Sequence, residues 1–428
     1  MIWLILGIIF TLLLIGFPMK VPLIAAGLIS MLMYFPDTDL GILIQQYFAG
    51  IQAFVLLAVP MFIFAADIMS SGNTSRRLLD FVSSMIGHVR GGYAMTTSVA
   101  CALFGSVSGS TQATIAAAGK PMRERMAEKG YKDSQSIPLI VNASDLALMV
   151  PPSIAMIIYG VVTGTSVGEL FVAGITPALI ILAMFLIYNY LEARKYNLVD
   201  QGRRESWREA GRYLRKAALP LGFPVLIIGG IYSGLFSPTE AAAVSVGYAF
   251  LIEVVIFKSV KISEIPKIAE STAIVTAAVF ILVAAGQGLS WVLSYAQIPE
   301  QITDTIFGSD PSQLYVLFMI AVLFFVVCMF IDPLVVIFVL TPIIEPVAMD
   351  AGIDPVALGI IVTLQAAIGS ATPPFGVDIF TAIAIFRRPY LEIVKGSLPY
   401  FLILGIASAL LILFPNIILV YEFFVPTE

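Results

Sequence analysis

Apolar runs long enough to cross a bilayer return from one end of this 428-residue chain to the other. A helix rises 1.5 Å per residue, so crossing a hydrocarbon layer about 30 Å thick takes about 20 mostly apolar residues. Composition agrees: 59% of residues are hydrophobic, 12% are charged and mean hydropathy is +0.98, which leaves too few charges to cover a soluble domain. In hydrocarbon the backbone must satisfy its own hydrogen bonds, which helices do within one segment, so the chain reads as an all-α, multi-pass membrane protein. The first run has no basic residues ahead of it and no small-residue cleavage site after it, and reads as a retained span.

Windowed hydropathy predicts spans near 2–18, 21–35, 50–70, 136–163, 170–192, 216–234, 237–257, 271–295, 355–385 and 398–425. Two further apolar segments, 92–118 and 314–341, are interrupted by small or helix-breaking residues and read as re-entrant hairpins. Segments 73–88 and 297–307 read as amphipathic connectors on the membrane surface. The stretch from Arg194 to Lys216 carries eight basic residues, Arg203 and Arg204 among them, and is expected in the cytoplasm. Counting spans from there puts Arg76, Arg77, Lys120, Arg123, Arg387 and Arg388 on the same side and both termini on the periplasmic side.

The chain also repeats itself. Pro151-Pro152 and Pro373-Pro374 stand 222 positions apart, as do Gly130 and Gly352, Gly174 and Gly396, and Pro177 and Pro399. Pro121 and Glu124 match Pro342 and Glu345 at an offset of 221. Each half holds five spans and one hairpin, and an odd number of spans inverts the second half. The expected organisation is a first inverted repeat over 1–193, a basic connector over 194–215 and a second repeat over 216–428. Inverted repeats characterise secondary transporters, whose sites lie at the repeat interface near the midplane.

Chemistry concentrates in four segments. FGSVSGSTQATIAAAG, 104–119, surrounds two glycines with hydroxyls that suit a hard cation such as sodium, although small residues also serve helix packing. NASDLALMVPPS, 142–153, places Asn142, Ser144 and Asp145 before two prolines that remove backbone donors and break the helix. QAAIGSATPPFGVD, 365–378, repeats that plan. CMFIDPLVVIFVLTP, 328–342, sets Asp332 41 positions before Pro373, as Ser110 stands 41 before Pro151. Asp332 is either a helix cap or a functional carboxylate. Asp145 and Asp378 are the better candidates for coupling-ion electrostatics, since intramembrane acids are functional by default. Glu240 reads as a cap in Ser237-Pro238-Thr239-Glu240. Asp67 and Glu253 read as acids near helix ends. Cys101 and Cys328 read as buried small side chains, and the single His88 leaves no His-based metal site or triad. The presumed midplane lacks basic residues, which favours cation-coupled symport.

With these segments in this order, together with GLFSPTEAAAVSVGYA, the chain resembles over essentially its whole length the large membrane subunit of a tripartite ATP-independent periplasmic (TRAP) transporter. The resemblance implies an elevator-type secondary transporter in the bacterial inner membrane and sodium-coupled import of an organic acid. It implies two partners: a small four-helix membrane subunit on a separate chain and a soluble periplasmic substrate-binding protein. It places sodium on Ser106, Ser108, Gly109, Ser110, Asn142, Asp145 and Pro151, and on Gly369, Ser370, Thr372, Pro373, Gly376 and Asp378. Substrate falls to Ser110, Thr111, Asn142, Ser153, Asp332 and Thr372. Within the family the chain looks most similar to sialic-acid members, so N-acetylneuraminate is the expected solute.

No cofactor beyond Na+ and no nucleic-acid partner is expected. A stand-alone sodium–dicarboxylate symporter would work without a binding protein. A channel would conduct without saturating. An intramembrane enzyme would need a His pair, metal-spaced ligands or a phosphate loop, and the sequence has none of these.

Overall fold

The computed structural model describes residues 1–195, 205–298 and 311–420, and every regular element among them is helical. The first half runs α1 (Ile2–Leu14), α2 (Lys20–Tyr34), α3 (Leu40–Ala49), α4 (Ala58–Ser71), α5 (Thr74–Ile86), α6 (Gly92–Ser108), α7 (Thr111–Thr114), α8 (Lys120–Glu128), α9 (Asp133–Ser144), α10 (Leu146–Met149), α11 (Ile154–Thr163) and α12 (Val167–Lys195). The second runs α13 (Trp207–Tyr232), α14 (Pro238–Phe250), α15 (Ile265–Tyr295), α16 (Gln313–Cys328), α17 (Pro333–Asp350), α18 (Pro355–Ala371), α19 (Val377–Phe386) and α20 (Tyr390–Leu413). Local chemistry sets several starts. Ser206 with Glu209, and Ser237 with Glu240, form capping boxes in which each side chain takes a backbone N–H that the helix leaves open, so Glu240 is a cap.

The protein spans a membrane many times, but the helices do not match ten uniform spans. Among the described residues seven helices are long and apolar enough to cross, or eight if the bent pair Asp133–Met149 and Ile154–Thr163 forms one crossing. α1 and α2 have 13 and 15 residues. At 1.5 Å per residue they reach only about 20–23 Å. The expected span 355–385 is two pieces, α18 and α19, on either side of Pro373-Pro374. That break falls where the proline pair predicts it. Conversely α17, expected as part of a short hairpin, has 18 residues and qualifies by length. The expected connector 297–307 lies largely outside the described residues, as do Arg203, Arg204 and the end of the segment 398–425.

Each half contains a helical hairpin laid on a broken helix. α6 returns through α7 and α8 and packs on α9 and α10. α16 returns through α17, and both pack on α18. The halves also cross over: α19 reaches α7 and α9, and α11 packs on α17. One apolar core runs through both halves. A smaller cluster, including Ile115, Ile137, Ile140, Ile379 and Phe386, joins the first hairpin to both broken helices. Beside it Arg123 pairs with Asp133 through Nε and Nη2, each at 2.8 Å, and Arg388 donates to the same carboxylate.

Candidate solute and ion site

The first hairpin turns at Gly109, whose φ of +60° suits a residue without a side chain. A Cβ there would lie 2.4 Å from the carbonyl oxygen of Pro152, so the tip sits directly on the break in the first broken helix. Beyond the turn Ser110 caps α7, accepting from the N–H of Ala113, while the Ser108 and Thr114 hydroxyls meet at 3.0 Å. The break itself, Pro151–Ser153, is buried, and Ser153 caps α11. Both proline pairs are cis.

The second break is open: Pro374 and Phe375 are exposed, and the Phe375 ring lies 5.7 Å from that of Phe330 at the second hairpin tip. Asp332 accepts from the Leu334 N–H at 2.9 Å, the capping arrangement.

The two halves are joined by Asp378. Its fully buried carboxylate accepts from Thr111 Oγ1 and Ser370 Oγ, each at 2.6 Å. Thr111 opens the helix after the first tip, so one acid ties that tip to the second broken helix. Asp145 stands in contrast. It is 1% exposed, and neither carboxylate oxygen has a hydrogen-bond partner. One turn earlier Asn142 donates to the Pro138 carbonyl at 2.8 Å and leaves its Oδ1 unpaired. An acid such as Asp145 stays ionised only at a cost of several kcal/mol unless a cation answers it, and protonation is the alternative; three oxygens spaced i, i+3 suit a hard cation.

The structure thus brings together Ser108, Gly109 and Ser110 in the first half, with Gly109 on Pro152 next to the predicted Pro151, and Thr111, Ser370 and Asp378 across the halves. It pairs Asn142 with Asp145 on one helix. Other candidates are turned back on their own helices: Ser106 donates to the Leu103 carbonyl and Thr372 to that of Ile368. Gly369 instead packs tightly on Cys328, and Gly376 precedes α19. Sequence reasoning did not find the orphan hydroxyls of Thr96 and Thr363, both buried, because nothing local marks them.

Paired hairpins, broken helices and buried acids at their meeting point define a helical membrane transporter. The family model for "Tripartite ATP-independent periplasmic transporter, DctM component" matches residues 6–417, and the chain belongs to that family. It is similar to the ectoine TRAP transporter large permease protein TeaC of Halomonas elongata, with 55% identity over 95% of this chain and 96% of that one. Similarity to the sialic acid large permease SiaM of Vibrio cholerae is lower, 33% over 94% and 93%. Among solved structures, the YdaH transporter of Alcanivorax borkumensis shares the fold, with a TM-score of 0.55, 14% identity and 87% of each chain covered.

Proposed function

We propose that this chain is the large membrane subunit that imports a small carboxylate-bearing solute of the ectoine kind across the bacterial inner membrane, driven by sodium. The relative named for ectoine, at 55% identity, supports that solute over N-acetylneuraminate, whose named relative stands at 33%. Three of the four site segments contain an acid and none contains Lys or Arg, which suits a solute with its own positive charge better than a plain anion. A periplasmic binding protein delivers the solute, and a separate four-helix membrane subunit completes the assembly.

The carrying observation is the Thr111–Asp378 bond between the halves, set beside the unpaired Asn142–Asp145 oxygens. In this reading the halves are inverted repeats, the hairpins re-enter the membrane and both termini are periplasmic. Sodium is held by hydroxyls, carbonyls and carboxylates around each break. The hairpins and broken helices travel as one block past the outer helices. Proteoliposomes test it. Uptake of labelled ectoine should need sodium, the small subunit and the binding protein. Uptake of sialic acid in place of ectoine would overturn the solute, and uptake without the binding protein would favour a stand-alone symporter.

A further inference from the structure

Glu253, an acid near a helix end by sequence, is fully buried in the structure. Beyond Phe250 its helix winds on as a π-turn, Leu251–Ile256, which turns the side chain toward the start of α5. There Oε2 accepts from the Asn73 N–H at 3.0 Å, and Oε1 accepts from the Thr74 N–H at 3.0 Å and Thr74 Oγ1 at 2.5 Å. Ser259 Oγ also donates to Oε2. A helix start presents open N–H groups and partial positive charge, and a carboxylate answers both. Gly72 makes the approach feasible, since a Cβ there would lie 2.0 Å from Oε2.

The rest of α5 extends this attachment. Arg77 stacks its guanidinium 3.5 Å from the Phe257 ring centre and donates to the Lys216 carbonyl at 3.2 Å. Farther along, Asp80 accepts from Arg125 on α8 at 2.6 Å. α5 is therefore fixed at its start to the end of α14 and to α13, and along its length to the first hairpin.

We propose that Glu253 is a positioning residue that anchors α5 as the lever through which α4 and α14 hold and move the first hairpin. The lever rests on the moving-block reading above; the anchor does not. Glu253→Gln keeps the volume but replaces one acceptor oxygen with an NH2 group that faces N–H donors. Thr74→Val removes one donor.

Hydrogen exchange is measured on the full chain with its small subunit. Amides of residues 73–78 should exchange about tenfold faster in Glu253→Gln, and less so in Thr74→Val, with α6 unaffected. In uptake, Vmax should fall about tenfold, while KM for solute and the half-saturating sodium stay within about twofold. Unchanged exchange in both variants would overturn the anchor. A shifted sodium titration would make Glu253 an ion ligand and overturn the assigned role. Should Glu253→Gln fail to insert, Thr74→Val decides by the same readouts. If the unsubstituted assembly shows no sodium-driven uptake, the transport reading falls, and the exchange result still decides the anchor.

Discussion

The two broken helices follow one plan with opposite outcomes. At the first, the break is buried and its acid, six residues before Pro151, has no partner for either oxygen. At the second, the break is open and its acid, five residues after Pro373, is satisfied by two hydroxyls, one of them from the other half. The same proline pair thus builds two devices. One leaves a buried carboxyl group without a hydrogen-bond partner; the other is a latch whose partners are already in place. The difference comes from where the carboxylate falls relative to the break and which hydroxyls the neighbouring tip supplies.

Four measurements test that contrast, in order of decreasing expected effect. Gly109→Leu puts a side chain against the Pro152 oxygen at a positive φ, and uptake should fall about a hundredfold or more without loss of membrane insertion. Normal uptake would mean that the first tip need not sit on the break. Asp145→Asn and Asp378→Asn should move stability in opposite directions. Without sodium, Asp145→Asn relieves an unpaired charge and should raise the melting temperature, by about 1–4 kcal/mol of stability. Asp378→Asn weakens two hydrogen bonds and should lower it by about 1–3 kcal/mol. Equal signs in a thermal melt would erase the distinction between unpaired acid and latch. Thr111→Val deletes one latch bond and should cost about 1 kcal/mol. Its sodium titration should follow that of Asp378→Asn; an unchanged titration would separate the latch from ion coupling. Finally, Phe375→Cys should react with a soluble thiol reagent about tenfold faster than Pro152→Cys, since only the second break is open.

Much of this plan was readable in the sequence because prolines and glycines act locally. Pro151-Pro152 and Pro373-Pro374 end helices wherever they stand, and Gly109 marks a turn without help from distant residues. The two hairpins and the membrane class follow from that and from hydropathy. What was hidden depends on residues far apart in the chain. Thr111 meets Asp378 across 267 positions, and Asn73 meets Glu253 across 180. The unpaired state of Asp145 reflects what its neighbours lack, which no motif records. Helix ends away from prolines are less legible: the first apolar run extends to residue 18, while α1 stops after 13 residues. The solute is hidden for a different reason: the four segments hold hydroxyls, carboxyl groups, glycines and prolines, and none of these singles out one cargo.

Asp133 is counter-ion to both halves at once, with Arg123 on one flank and Arg388 on the other. Parting the two halves at that end would leave the Arg388 guanidinium without its carboxylate. One acid at the start of α9 therefore rivets the first hairpin and the stretch after α19 together at that corner.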